Sequence, residues 1–68
     1  MASDRRYTIK KQSREDHFLC GSLASAVVEA LGLGMSIEGI AELCEMDAGE
    51  SLFTMAGDGL VITVNRLA

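Results

Sequence analysis

The spacing of hydrophobic and polar positions changes along the chain, and each change marks an element. Residues 5–11 alternate, with Tyr7 and Ile9 on one side and Arg6, Thr8 and Lys10 on the other. A period of two predicts a strand buried on one face and basic on the other. Residues 12–16 read as a helix start. Ser13 is placed to cap orphan amides, and Glu15 and Asp16 fall in the first turn, where the helix dipole favours carboxylates. The period then becomes 3.6 and predicts a first helix over about 14–31, stopped by Gly32. Its apolar stripe comprises Leu19, Cys20, Leu23, Ala24, Val27, Val28 and Leu31. Phe18 stands apart on the small, polar side beside Gly21, Ser22 and Ser25. It reads either as packing back onto the first strand or as an aromatic anchor for a hydrophobic interface.

Gly32-Leu33-Gly34 is a tight connector, and Ser36 is the next N-cap. A second helix is predicted over about 37–46. Ile37, Ile40, Ala41, Leu43 and Cys44 share its inner face, and Glu38, Glu42 and Glu45 share its outer face. Residues 50–55 and 60–67 read as strands joined by Ala56-Gly57-Asp58-Gly59, since Asp-Gly between apolar runs is a strong hairpin signal. Leu60, Ile62 and Val64 are expected to face the helices. The sequence therefore predicts an α+β fold in the order β-α-α-β-β: a three-stranded, mainly antiparallel sheet with two helices on one face, forming one domain over 1–68.

Length limits what such a fold can do. At 68 residues the chain is near the lower bound for a self-sufficient core. No stretch approaches the roughly 18–20 apolar residues of a membrane span. Residues 1–11 are basic and polar, unlike a secretory signal, so the expected location is the cytoplasm of a bacterial or infected host cell, with no membrane partner. In that compartment the two cysteines read as reduced thiols.

Charge adds the main functional cue. The net charge of −4 conceals a split. Five bases (Arg5, Arg6, Lys10, Lys11 and Arg14) oppose Asp4 in the first 14 residues, whereas nine acids oppose Arg66 alone in the rest. Glu38, Glu42 and Glu45 recur at helical spacing with no intervening base. Like charges at such positions cost a few tenths of a kcal/mol each. Glu45 and Asp47 also sit near the helix C-terminus, where the dipole prefers cations. The strip reads either as a solvated face or as a docking surface for a basic partner. It excludes a helix-turn-helix reading of this region, because three carboxylates on a recognition helix would repel phosphates.

Other chemistry is thinly represented. His17, Cys20 and Cys44 lack the spacing and the fourth ligand of a zinc site, and no orienting group accompanies a Cys20–His17 pair. We expect no enzyme activity, metal or cofactor.

One segment resembles a known family. Residues 46–62, MDAGESLFTMAGDGLVI, resemble the terminal hairpin of swapped-hairpin regulators of the AbrB/MazE type: Gly49-Glu50 opens a strand, and Asp58-Gly59 turns it into Leu60-Val61-Ile62. The resemblance covers about a quarter of the chain. It implies a dimeric DNA-binding transcriptional regulator or antitoxin whose basic N-terminal strand, with Arg5, Arg6, Lys10 and Lys11, contacts DNA. Members of that family join their strands through a short helix, whereas some 35 residues and two helices intervene here.

The leading expectation is a small acidic protein-interaction module, homodimeric and non-enzymatic, that regulates or inhibits a basic or nucleic-acid-binding protein through Glu38, Glu42, Glu45 and Asp47. In size and charge it is similar to small phage-encoded inhibitors, including anti-CRISPR-type blockers.

Overall fold

The structure, a computed structural model, describes residues 6–68. The strands are β1 (Tyr7–Lys11), β2 (Phe18–Cys20), β3 (Ser51–Met55) and β4 (Val61–Arg66), and the helices are α1 (Leu23–Gly32) and α2 (Ile37–Cys44). All strands pair antiparallel in the spatial order β2-β1-β4-β3. The fold is α+β with two helices against a four-stranded sheet, so the expected three-stranded β-α-α-β-β order is corrected to β-β-α-α-β-β.

The difference lies in residues 14–22. Instead of starting a helix, Ser13 occupies a turn in which the Arg14 amide donates to the Lys11 carbonyl. The chain then returns alongside β1, placing Phe18 opposite Ile9 and Cys20 opposite Tyr7. A strand ladder satisfies these backbone groups and puts Phe18 and Cys20 on the buried side, which a helix continuing through Gly21 would not do. The actual N-cap of α1 is Ser22. Its hydroxyl accepts from the Ser25 amide, while the Ser25 hydroxyl accepts from the Ser22 amide. This is a capping box with serine where glutamate or glutamine is usual.

The far end of α1 lies one residue beyond its predicted bound. Gly32 remains helical, Leu33 is the C-cap, and Gly34 takes the left-handed conformation at φ +94°, which a side chain would strain. Met35 then forms a bridge with Ala56, and Gly57 donates to the Gly34 carbonyl, tying the helix connector to the hairpin. Ser36 caps α2 as expected, accepting from the Gly39 amide. The C-terminal hairpin is close to its predicted bounds: Gly59 supplies a positive φ, and Asp58 Oδ1 accepts from the Leu60 amide.

Strand register determines which side chains meet the helices. Tyr7, Ile9, Cys20, Leu52, Ile62 and Val64 occupy the inner face and, with Ala26, Ala30, Leu33, Met35, Leu43, Met46 and Ala56, form the core, against which the half-buried Phe18 of the same face packs. The expected α1 stripe is rotated. Ala26 and Ala30 are buried and Leu23 and Val27 half-buried, whereas Leu19, Ala24, Val28 and Leu31 are exposed. Small alanines bring α1 close to the sheet. Among the described residues, no helix is long and apolar enough to cross a membrane.

Candidate functional site

Side chains in α2 divide into two faces. Gly39 and Leu43 are buried and Ile40 is half-buried, and these residues direct the helix onto β3 and the core. At about 100° per residue, two parallel ridges lie on the other side, and all their members are exposed. Glu38, Glu42 and Glu45 form one. Ile37, Ala41 and Cys44 form the other, with Ile37 85% exposed. The expectation that Ile37, Ala41 and Cys44 face inward is therefore corrected. The decisive residue is Gly39: its lack of a side chain lets the helix rest on Thr54 and Met35, and that contact fixes the rotation. The missed signal was this glycine, which lies beside Leu43 on the wheel, on the side away from Ile40.

Asp47 follows the helix and is exposed. Its amide donates to Glu50 Oε1 at 2.7 Å. Among the described residues the ion pairs are Lys11–Asp58 and Arg14–Asp16, so neither involves Glu38, Glu42, Glu45 or Asp47.

The basic residues have different environments. Arg5 lies outside the described residues. Arg6 is exposed, and Lys10 is half-buried on the outer side of β1. Lys11 is on the inner side with a side chain only 14% exposed; its ammonium donates to the Leu33 carbonyl at 3.0 Å and to Asp58 Oδ2 at 2.6 Å. It fastens β1 to the end of α1 and to the hairpin. The hydrogen bond from Lys11, followed by one from the Leu60 amide, holds the Asp58 carboxyl below the usual carboxylate range.

These contacts yield a prediction. Lys11→Met should destabilise the fold by about 1–2 kcal/mol through the lost ammonium–carbonyl hydrogen bond. The depressed Asp58 makes its contribution when ionised, so that contribution is present above its unfolded pKa and disappears as pH falls through the folded value. Urea titrations should therefore show the wild type more stable than Asp58→Asn at neutral pH, with the gap closing in acid below the ordinary aspartate range. A constant gap across that range would refute the coupling.

His17 is exposed in the irregular segment before β2, while Cys20 is buried in β2 and Cys44 exposed on α2. Among the described residues, no group of three or more His, Cys, Asp or Glu side chains is placed to hold a metal ion. Burial is the largest influence raising the Cys20 thiol pKa; the Glu29 charge adds to it, and a hydrogen bond with Ser25 opposes it. One thiol should accordingly react with a maleimide in the native protein, at Cys44, and the second only after denaturation. Rapid native labelling of Cys20 would contradict this packing.

Phe18 is half-buried against the core on the inner face, with the Arg14 guanidinium carbon 5.6 Å from its ring centroid, within cation–π range. Its position matches the reading in which it packs back onto the first strand. No protein family, curated protein or solved structure matches this chain.

Proposed function

We propose that this protein is a non-enzymatic interaction module that regulates or inhibits a basic protein partner through the outer face of α2. The observation carrying the proposal is the exposed ridge of Glu38, Glu42 and Glu45, for which the described bases provide no ion-pair partner. Three like charges on a short helix raise the local negative potential, steering a basic surface and disfavouring acidic ones. The adjacent apolar ridge of Ile37, Ala41 and Cys44 supplies area to desolvate once contact forms. A nucleic-acid-binding protein has suitable chemistry for the partner, since its groove already accepts rows of phosphates. The role fits a phage-type or anti-CRISPR-like inhibitor acting in the cytoplasm of a bacterial or infected cell.

The test is affinity capture from host lysate with the immobilised chain. Glu38→Lys/Glu42→Lys/Glu45→Lys should lose the captured partner while its circular dichroism stays native, because all three positions are exposed. Undiminished capture would defeat the proposal.

A second reading, the AbrB/MazE-like DNA-binding dimer, draws on Arg6 and Lys10 along the outer side of β1. The engagement of Lys11 with Leu33 and Asp58 weakens it. It requires salt-sensitive retardation of duplex DNA that disappears in Arg5→Ala/Arg6→Ala/Lys10→Ala.

A further inference from the structure

Charge is segregated by layer. Strand register and alternation place Arg6, Thr8, Lys10, Leu19, Ser51, Phe53, Met55, Val61, Thr63 and Asn65 on the face of the sheet opposite the helices. None of these residues is acidic. In the helical layer, by contrast, no Lys or Arg occurs anywhere between Arg14 and Arg66. Each outer surface also exposes large apolar side chains: Leu19, Phe53 and Met55 on the sheet, and Val28, Leu31 and Ile37 on the helices.

We propose that the open sheet face of one copy docks on the outer face of α2 of the next, so that the chain associates head to tail. Arg6 and Lys10 meet Glu38, Glu42 and Glu45, while Phe53 and Met55 meet Ile37, Ala41 and Cys44. The occupant is a second copy because this chain presents both complementary surfaces. Pairing sheet face on sheet face sets base against base, and pairing α2 on α2 sets acid against acid; like-charge juxtaposition of that kind is costly. A standard interface takes about 800 Å² from each partner, roughly a fifth of this chain's 4242 Å² of accessible surface, which one outer face can supply. The contact is heterologous, so it propagates as an open chain or closes as a ring. This inference rests on the α2 face assigned above and adds its regulation: self-association covers the acidic ridge until a more basic partner displaces the neighbouring copy.

The test is sedimentation velocity on the purified chain. Wild type should show concentration-dependent association that weakens at least about tenfold between 50 and 500 mM salt. Ile37→Ser/Glu42→Gln/Glu45→Gln disables one face and Lys10→Gln/Phe53→Ser the other, so each variant alone should be monomeric. Mixed, they should form a 1:1 dimer and nothing larger, because each retains the face that the other lacks. Native circular dichroism of both variants is required, and single substitutions Glu42→Gln and Phe53→Ser should each weaken association if either combined variant fails to fold. A wild type that stays monomeric overturns the proposal. So does a dimer that survives in both variants, which would indicate an isologous contact such as pairing along β3. Since no external partner enters the experiment, its failure leaves partner capture through α2 to be judged separately.

Discussion

Leu43→Ala should leave this protein largely unfolded at 37 °C. Leu43 is 0% exposed and projects from α2 into the core that also contains Ile9, Ile62 and Val64. Truncating a buried leucine costs about 2–5 kcal/mol, combining lost transfer energy with the cavity left behind. A single core in a domain of this length supplies only about 3–5 kcal/mol, so the loss consumes most of the stability. The expected measurement is a urea midpoint near zero for Leu43→Ala. Leu43→Met conserves volume and should lose less than about 1.5 kcal/mol. If Leu43→Ala kept a midpoint close to wild type, α2 could not be docked as described.

Gly39→Val should be comparably damaging for the opposite reason. A Cβ at Gly39 would lie 2.7 Å from Met35 Cγ, 2.9 Å from Thr54 Oγ1 and 3.2 Å from Met35 Sδ. Alanine brings about 1 kcal/mol of helix propensity. Against that, Met35 is itself buried and Thr54 is a short side chain on β3. Overpacking typically costs about 1–3 kcal/mol, so Gly39→Ala should be mildly destabilising. Valine adds two methyl groups in the same space, and it should lower the thermal midpoint well below that of Gly39→Ala and lift α2 from β3. A neutral Gly39→Val would show that the helix sits farther from the sheet. The same close approach rotates Ile37, Ala41 and Cys44 outward, so this packing contact governs the candidate interaction surface as well as stability.

Much of the chain could be read locally. Alternation at Tyr7 and Ile9, the serine cap at Ser36 and the Asp58-Gly59 turn each act over a few residues, and each is present in the fold. The acidic ridge was equally legible, because 3.6-residue spacing places Glu38, Glu42 and Glu45 together whatever surrounds the helix. Segment 14–22 was not. Its residues carry helical signals at Ser13, Glu15 and Asp16, but Phe18, Leu19 and Cys20 complete a ladder with β1. Nothing in a local window registers hydrogen-bonding groups offered by a strand about ten residues away.

The sequence by itself determined the C-terminal hairpin, the capped second helix and the separation of basic from acidic residues, since these depend on short-range periodicity, turn chemistry and charge order. Tertiary structure decided the fourth strand, the rotation of both helices, the engagement of Lys11 with Leu33 and Asp58, and the exposure of Ile37 and Phe53. Those outcomes depend on which surfaces meet: backbone groups must find partners and side-chain volumes must fit. Such long-range conditions select among the faces that a local pattern offers equally.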